Sequence, residues 1–554
     1  MADGNELVFV PLGGLGEIGM NCALYGYGPA SARQWLMVDI GIGFADEDLP
    51  GIDLIMPDLS FIEKAKKNLV GVVITHAHED HIGALAELWL DLRAPVYMTR
   101  FAAGLMESRR LGEPGAPEIP VKVVQFGEKV VIGPFTVEFI PVAHSIPESS
   151  ALAIRAPAGL IVHTADWKID PTPIIGPPTD EARFKALGDE GVLALVCDST
   201  NILREGESPS ERDVANTLTA LIAKAKGRVV VTTFASNVGR LRSAAEAGFA
   251  AGRQVCILGR AIERVVGVAR DCGMLEGLPP FLGMDAFERL PRDRILALAT
   301  GSQGEPRAAL ARMAGEEHPT AELSAGDTVI FSSRTIPGNE KAVGKIVNAF
   351  ARAGVEVITD RTALVHVSGH PRRAEVAKMY GWVRPRIAVP AHGEPLHLTE
   401  HADFARAQGV SQVLRAFNGD MIRLAPGEVS VSGKVTSGRR AKDGAILLSG
   451  QESVRQRRRL SFAGVVSIAI ALTARGEMAG DPDVMIAGLP ERTREGAAID
   501  ALIDDAIFEA FGSLPPGKRR DAEVVSTAIE RAVRGSVNTV WGKKPQVHVL
   551  VVEV

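Results

Sequence analysis

The chain has 554 residues, of which 46% are hydrophobic and 23% are charged, and its formal net charge is −6 at pH 7. This length exceeds a single hydrophobic core and predicts about three or four domains, while the composition is that of an ordinary globular protein rather than a fibrous or disordered one. The negative charge excludes attraction of a nucleic acid by the overall field, so such a partner would have to bind local basic patches.

The cysteines and the first residues of the chain indicate the cellular compartment of the protein. The four cysteines show no CxxC or paired spacing, which argues against disulfides and favours a reducing compartment. The first ten residues, MADGNELVFV, lack the features of a signal peptide, and the longest apolar stretch, 462–472, is too short to cross a bilayer. We therefore expect a cytoplasmic protein that makes no membrane contact.

The elements of the first 355 residues follow two patterns. Apolar runs between turn residues predict strands at 8–10, 35–38, 70–74, 137–142, 160–163 and 193–197. Alternation then begins, with helices predicted at 210–226, 237–251 and 340–353 and strands at 228–232, 255–258 and 295–299. This α/β rhythm predicts a parallel sheet inserted at 206–355.

The remaining elements predict a return to the first domain and then a separate one. Strand-like runs reappear at 356–359, 363–367 and 386–390, within a segment that we assign to 356–432. Residues 433–459 are rich in Gly, Ser, Lys and Arg and predict a linker. A strand at 462–472, helices at 496–511 and 521–534 and a strand at 547–554 then predict a small C-terminal α/β domain at 460–554.

The roles of two charged segments stay open at this point. The basic run 455–459 fits either a nucleic-acid contact or a solvated linker. The acidic loop from Asp46 to Asp53 fits either an additional hard cation such as Ca²⁺ or a solvated turn.

A glycine-rich segment at 14–19 matches the dinucleotide fingerprint GxGxxG, and Asp39 follows Gly19 by 20 positions. The fingerprint requires a helix after its last glycine. Gly26, Gly28 and Pro29 interrupt the following segment and exclude a three-turn helix there. We therefore predict a bend between two strands and no nucleotide cofactor.

The motif HAHEDH at 76–81 places three imidazoles and two carboxylates directly after the apolar run 70–74. Imidazole nitrogen and carboxylate oxygen suit Zn²⁺ or another first-row divalent ion. Further apolar runs end in candidate ligands of the same type, namely Asp39, His144, Asp166 and His392. Because residues beyond strand ends converge on one edge of a sheet, these side chains predict a single metal site.

This ligand pattern resembles the metallo-β-lactamase superfamily. The resemblance implies a four-layer αβ/βα sandwich that holds two divalent ions, Zn²⁺ in the first place and Mn²⁺ as an alternative. It assigns one ion to His76, His78 and His144, and the other to Asp80, His81 and His392. Asp166 would bridge the two ions, and Asp39 would orient ligands from behind.

His392 follows Asp166 by 226 positions, which leaves room for a whole inserted domain that resembles the β-CASP nucleases. Their additional motifs match Asp198, either His366 or His370, and His392. In that group a histidine at the last motif goes with RNA as the substrate.

Further segments resemble bacterial ribonuclease J, and they lie at 12–19, 232–237, 301–306 and 336–340. Arg334 and Thr335 depart from the small residues usual before the last segment, which leaves RNA contacts there open. The resemblance implies 5′-to-3′ exonuclease activity on 5′-monophosphorylated RNA together with endonuclease activity, in ribosomal RNA processing and messenger RNA decay. It also implies a homodimer or homotetramer formed through the C-terminal domain, although the apolar runs there fit an intrachain core equally well.

Several residues are candidates for direct action on RNA. Asp80 could carry a proton of the attacking water, and His366 or His370 could steady the scissile phosphate or the leaving oxygen. Candidates for phosphate binding are Phe234, Ala235, Ser236, His366, Val367, Ser368, Gly369 and His370. Their alternative role is that of tight strand-to-helix turns.

Two other functions compete with the RNA hydrolase. The same fold could act on a small lactam or thioester, but an inserted domain would roof the site with a long groove instead. A non-catalytic RNA-binding or assembly protein would be expected to have lost ligands, whereas this chain retains every expected ligand.

Overall fold

The computed structural model describes residues 4–45, 48–112, 116–448, 450 and 452–554. Two compact units divide the chain. The first comprises Met1–Gly43 and Met56–Arg439, and the second comprises Phe44–Ile55 and Arg440–Val554. Among the described residues, no helix combines the length and the apolar character that a membrane span requires.

Strands dominate the chain up to residue 205, because its sequence consists of apolar runs between turn residues. The strands are β1 (Glu6–Gly13), β2 (Cys22–Gly28), β3 (Gln34–Val38), β4 (Gly43–Phe44), β5 (Leu54–Pro57), β6 (Leu69–Val73), β7 (Val96–Met98), β8 (Val121–Val123), β9 (Lys129–Ile132), β10 (Phe135–Pro141), β11 (Ser150–Ala156), β12 (Gly159–His163) and β13 (Val192–Asp198). The helices are α1 (Ser60–Lys64), α2 (Glu79–Ile82), α3 (Leu85–Leu92), α4 (Arg100–Gly112) and α5 (Glu181–Glu190).

Helices and strands alternate in the next segment. The strands are β14 (Val229–Thr232), β15 (Gln254–Leu258), β16 (Ile295–Ala299), β17 (Thr328–Phe331) and β18 (Glu356–Ile358). The helices are α6 (Glu211–Lys224), α7 (Val238–Ala250), α8 (Arg260–Asp271), α9 (Ala286–Arg289), α10 (Ala309–Ala314) and α11 (Glu340–Arg352). The strands pair in parallel in the order β15-β16-β14-β17-β18, which confirms the inserted α/β domain.

The end of the insert differs from the expectation in two places. β18 pairs with β17 and therefore carries the inserted sheet past the expected boundary at 355. The strand predicted at 363–367 does not form, because the carbonyl of Val365 accepts hydrogen bonds from the side chains of Arg240 and Ser332 instead of a neighbouring strand.

The chain then returns to the first sheets. It adds α12 (Arg373–Val383), β19 (Ile387–Ala391), α13 (Pro395–Ala407), β20 (Gln412–Val413), β21 (Asp420–Ala425) and β22 (Ser430–Lys434). One sheet has the order β22-β21-β1-β2-β3-β6-β7-β8, and the other has the order β20-β19-β13-β12-β11-β10-β9. β1 and β2 are antiparallel neighbours on either side of the glycine-rich segment, which confirms the predicted bend.

The two sheets pack face to face. Phe9 and Leu36 of the first sheet share one buried cluster with Val137 and Leu152 of the second. The opposite face of the second sheet packs against α5 and α12, where Phe184 and Trp382 are buried. This arrangement confirms the predicted metallo-β-lactamase sandwich.

The second unit contains regular structure where the sequence predicted a linker at 433–459. β23 (Arg439–Asp443), β24 (Ile446–Leu447) and α14 (Glu452–Ala463) lie wholly or largely within that range. The polar composition conceals the helix because few of its residues, Val454 among them, are buried. Gly464 follows with φ +66°, a conformation that ends helices, so the strand predicted from 462 begins only at residue 465.

The C-terminal elements are β25 (Val465–Leu472), β26 (Asp483–Ala487), α15 (Ile499–Gly512), α16 (Ala522–Trp541) and β27 (Gln546–Glu553). The strands form a sheet in the order β26-β25-β27, whose one face packs on both helices through Ile468, Ile503 and Ile529. This confirms the small α/β domain.

The acidic loop is only partly described, since Asp46 and Glu47 lie outside the described residues. Asp48 forms an ion pair with Arg458 at 3.0 Å, and Asp53 accepts a hydrogen bond from the Gly444 backbone at 2.7 Å. The described carboxylates of this loop thus bind protein groups of the second unit.

Candidate metal centre

The candidate ligands follow the ends of parallel strands that are neighbours in the second sheet. β12, β13 and β19 run in parallel, and Asp198 at the end of β13 pairs in register with Ala391. Asp166, Asp198 and His392 therefore lie at one edge. Ala165 and His392 both have positive φ, +48° and +51°, so the backbone leaves the strands in a conformation uncommon outside glycine.

Asp39 holds the HAHEDH loop from behind. It follows β3, which runs parallel to β6, and its carboxylate accepts hydrogen bonds from the backbone nitrogen and the hydroxyl of Thr75, both at 2.8 Å. The same carboxylate lies 2.7 Å from Nδ1 of His81. With Nδ1 of His81 held by Asp39, Nε2 is the nitrogen that would bind a metal.

A first group of possible ligand atoms, within 4.8 Å of one another, comes from His76, His78, His144 and Asp166. Nε2 of His76 and Nε2 of His144 lie 3.2 and 3.0 Å from Nδ1 of His78. The other nitrogen of His144 donates to the carbonyl of Gly369 at 2.7 Å, and that of His76 lies 3.0 Å from the Thr75 hydroxyl. Backbone and hydroxyl partners thus aim both Nε2 lone pairs at one point.

A second group, also within 4.8 Å, comes from Asp80, His81, Asp166 and His392. Oδ2 of Asp166 lies 3.2 Å from Nε2 of His81 and 3.5 Å from Nε2 of His392. Asp166 belongs to both groups, and its side chain is only 2% exposed. The buried carboxylate is therefore shared by these two ligand sets, and it also belongs to a third group with Asp198 and His370.

The donor set fits a divalent cation. Tetrahedral zinc ligands at about 2.0–2.1 Å from the ion lie about 3.3 Å apart, close to the spacings observed between the imidazole nitrogens. Burial and the neighbouring imidazoles hold the pKa of His76 and of His78 well below the usual value, so both rings are neutral and offer lone pairs. Within the described residues, buried Oδ1 of Asp166 has no hydrogen-bond partner, as expected for an atom that awaits a ligand.

His370 lies beside this cluster and is held by Asp198. Nδ1 of His370 is 2.7 Å from Oδ2 of Asp198 and 3.9 Å from Oδ2 of Asp166. Burial alone would lower the pKa of His370, but the two carboxylates outweigh it and raise this pKa to about 9. Asp198 therefore holds the ring beside the cluster, where it can donate to an oxygen.

His366 occupies a different environment from His370. It is not a member of the ligand groups found among the described residues. Burial, together with the charges of Arg240 and Arg334, lowers its pKa to about 3. Of the two alternatives left open by the sequence, the structure brings only His370 into the cluster.

The candidate phosphate-binding residues form two loops. Phe234, Ala235 and Ser236 lie between β14 and α7, and the side chain of Asn237 caps α7 by accepting from the backbone nitrogen of Arg240. Val367 is buried, whereas the hydroxyl of Ser368 accepts a hydrogen bond from Asn201 at 2.9 Å. A Cβ on Gly369 would lie 2.5 Å from Nδ1 of His144, so only glycine permits this close approach.

Sequence reasoning missed Asn21 and Asn201. The Asn21 amide lies 3.3 Å from Oδ2 of Asp80 and 3.0 Å from Nε2 of His81, and Asn201 also donates to the carbonyl of His370 at 3.1 Å. Asn201 stands in the CDSTN segment that follows β13, so its closeness to Asp198 is a usable signal. No sequence signal marks Asn21, because only the folded sheet brings it beside Asp80, 59 positions away.

Comparison with protein families accounts for most of the chain. Residues 20–197 match the metallo-beta-lactamase superfamily, 226–350 the beta-CASP domain of ribonuclease J, 354–414 the RNA specificity domain of Zn-dependent metallo-hydrolases, and 452–554 the ribonuclease J C-terminal domain. A protein of Sinorhizobium meliloti named ribonuclease J is 53% identical over 555 aligned positions, covering 100% of this chain and 98% of its own.

The chain belongs to the ribonuclease J family. A ribonuclease J of Mycolicibacterium smegmatis is also similar, with 37% identity across 98% of this chain and 96% of its own. Family membership and the His/Asp cluster together establish a metal-dependent ribonuclease that binds RNA and uses divalent metal.

A solved structure shares the fold at low sequence identity. A protein of unknown function from Enterococcus faecalis superposes with a TM-score of 0.54 at 16% identity, covering 76% of this chain and 100% of its own. At this identity the likeness concerns the fold alone.

Proposed function

We propose that this ribonuclease J family member removes nucleotides from the 5′ end of 5′-monophosphorylated RNA in the 5′-to-3′ direction, and that it also cleaves RNA internally. The observation that supports this most is the pair of ligand groups sharing Asp166, with Nδ1 of His370 3.9 Å from Oδ2 of Asp166. RNA maturation and decay in the cytoplasm is the corresponding cellular role.

Two divalent ions, Zn²⁺ or alternatively Mn²⁺, form part of the proposal. His76, His78 and His144 would hold one ion, Asp80, His81 and His392 the other, and Asp166 both. Bound ions of this kind lower the pKa of water and offset negative charge on phosphate oxygens. Asp39 would fix the orientation of His81, since hydrogen-bonded partners behind the ligands set the affinity for metal.

The protein's own side chains divide the remaining work. Asp80 is 30% exposed, the most accessible carboxylate of the cluster, and would accept a proton from the attacking water. His370, held by Asp198, would donate to the leaving oxygen. This assignment leaves His366 without a part in proton transfer.

The 5′-monophosphate would bind between the loop 234–236 and the loop 368–370. Ser236 and Ser368 offer hydroxyls, the loop backbones offer amides, and Gly369 allows a phosphate to approach closely. A 5′-monophosphate would accept hydrogen bonds from these hydroxyl and amide groups, whereas a 5′-hydroxyl would leave them without a partner. The protein should therefore prefer a 5′-monophosphate.

RNAs that differ only at the 5′ end test this proposal. We expect mononucleotides to be released fastest from 5′-monophosphorylated RNA and more slowly from 5′-hydroxyl RNA. Circular RNA, which has no 5′ end, should be cleaved internally. Asp80→Ala should abolish all three reactions in Zn²⁺ or Mn²⁺. Equal activity of Asp80→Ala and the unmodified protein, or the absence of mononucleotides, would contradict the proposal.

A homodimer or homotetramer built through the C-terminal domain completes the proposal. The face of the β26-β25-β27 sheet that points away from α15 and α16 exposes Met485 (62%), Leu550 (64%) and Val552 (47%). Apolar side chains that are contiguous on one face are typical of a surface that another protein covers. The domain boundaries 1–205, 206–355 and 356–432 are retained as a proposal, with the last strand of the insert extending to residue 358. The boundary between 433–459 and 460–554 is not retained, because α14 runs across it.

A further inference from the structure

Four buried charged residues connect the metal centre to the inserted domain. This ion-pair network consists of Lys168, Asp170, Glu211 and Arg240, none of them more than 8% exposed at the side chain. Charges so far from water are rare unless they are paired, and each of these four has a partner of opposite charge.

The network begins next to a shared metal-ligand candidate. Lys168 stands two positions after Asp166, and its Nζ lies 3.0 Å from Oδ2 of Asp170. The same oxygen accepts a hydrogen bond from the backbone nitrogen of Glu211 at 2.9 Å, and Oδ1 accepts from the Ser210 hydroxyl at 2.6 Å. Asp170 thereby attaches the first turn of α6, the first helix of the insert, to the segment behind Asp166.

The network continues through a guanidinium that is fully used. Nη2 of Arg240 donates to both carboxylate oxygens of Glu211 at 3.0 and 2.8 Å, and Nε donates to one of them at 3.1 Å. Nη1 donates to the carbonyl of Ser332, to the Ser332 hydroxyl and to the carbonyl of Val365, at 2.9, 2.8 and 2.9 Å. Arg240 thus joins α6 and β17 to the segment that leads into the loop 368–370.

Arg240 also lies in the first turn of α7, the helix that follows the loop 234–236. Its backbone nitrogen donates to Asn237, which caps that helix. Arg240 is therefore linked by short chain segments to both loops of the proposed phosphate site. Its side chain binds Val365, three residues before the loop 368–370, and its backbone binds Asn237, which directly follows the loop 234–236. Through Glu211 and Asp170 it reaches the metal-ligand segment as well.

We propose that the ion-pair network is a positioning device that fixes the loop 234–236 relative to the metal centre, and so sets how many nucleotides each cleavage from the 5′ end releases. This inference rests on the proposed 5′-end function. If the 5′-phosphate site shifts against the metal centre, the phosphodiester aligned for attack changes too. A planar guanidinium with several fixed donors resists such a shift, whereas an ammonium cannot reproduce its geometry.

The test compares Arg240→Lys with the unmodified full-length protein on 5′-monophosphorylated RNA. We expect dinucleotides to appear among the mononucleotide products, and kcat/KM and the preference for a 5′-monophosphate each to fall by about tenfold or more. Cleavage of circular RNA, which has no 5′ end, should change less than twofold.

A second variant and a control separate positioning from general stability. Glu211→Gln preserves shape but removes the charge that Arg240 binds, and should produce the same dinucleotides. The kcat/KM of the double variant should be no lower than that of the less active single variant, because both substitutions break the same contact. Arg253→Lys is the matched control, since Arg253 is a buried arginine of the insert whose side chain donates to the carbonyls of Ala225, Gly227 and Ile295.

Distinct outcomes would overturn the inference. Unchanged product lengths and end preference in Arg240→Lys and Glu211→Gln, with exonuclease and circular-RNA activities reduced in equal proportion, would leave only a structural role. Failure of both variants to fold would lead to the same conclusion. An unmodified protein that releases no mononucleotides would instead refute the proposed function itself, and this inference with it.

Discussion

Gly369 and His144 lie 225 positions apart in the chain, yet each restricts what the other can be. The carbonyl of Gly369 accepts the Nδ1 proton of His144, and the absence of a side chain lets the ring approach. The loop that follows the insert thereby sets the tautomer of a candidate ligand in the first domain.

Gly369→Ala should therefore impair catalysis much more than folding. The added methyl group would meet the His144 ring at 2.5 Å and push it away from His78, and a displacement of about 1 Å at a reacting centre lowers activity by about a hundredfold. Steady-state cleavage of a 5′-labelled RNA measures this loss. Gly381→Ala, in α12 with open space around it, is the matched control and should leave kcat/KM unchanged.

His401 makes stability depend on pH at another buried position. Its two nitrogens lie 2.8 Å from the Ser199 hydroxyl and 2.9 Å from the Tyr380 hydroxyl, and burial lowers its pKa to about 4. An unfolded chain would protonate this ring below about pH 6.5, whereas the folded protein keeps it neutral. Its contribution to stability is therefore complete above pH 6.5 and is lost as the pH falls towards 4.

Replacing His401 should remove part of this acid sensitivity. With the two pKa values above, the ring costs about 2 kcal/mol of stability at pH 5 relative to pH 7. We expect His401→Gln to show a smaller drop in melting temperature between pH 7 and pH 5 than the unmodified protein. Identical drops in the two proteins would contradict the expectation.

At the scale of whole elements, strand ends account for what the sequence predicted well. Parallel neighbours such as β13 and β19 finish at one edge, so the apolar runs before Asp166 and His392 were enough to predict a common site. Local pattern could not predict α14, whose arginine-rich sequence resembles a solvated linker. Nor could it separate His366 from His370, because their difference depends on Asp198, about 170 positions earlier.

The C-terminal sheet offers a test at the same scale. Leu550→Glu places a charge on the exposed face of β27, where a second copy would have to desolvate it, and should shift the sedimenting species towards the monomer. Phe508→Glu changes a residue on α15, which is 48% exposed and belongs to the helical layer, and should leave assembly unchanged. Analytical ultracentrifugation distinguishes these outcomes, and an unaltered oligomer in Leu550→Glu would place the interface elsewhere.

At the scale of the whole molecule, metal binding should be coupled to folding. The ligand candidates come from segments between residues 76 and 392, so a bound ion links distant parts of the first unit and stabilises the folded state by about 2.7 kcal/mol at a concentration a hundred times its Kd. We expect a chelator to lower the calorimetric melting temperature by several degrees. The shift should be smaller in Asp80→Ala, and no shift in the unmodified protein would contradict strong binding.

The pairing of β13 with β19 also has a consequence for biosynthesis. These strands are adjacent in the sheet, yet nearly 190 residues, including the whole insert, are translated between them. Because domains fold as they emerge, the insert can complete its own sheet while the seven-stranded sheet still lacks its next strand. The second ligand group is complete only when His392 leaves the ribosome. If both ligand groups hold ions that cleavage requires, as proposed above, a nascent chain has no complete metal centre until His392 has emerged.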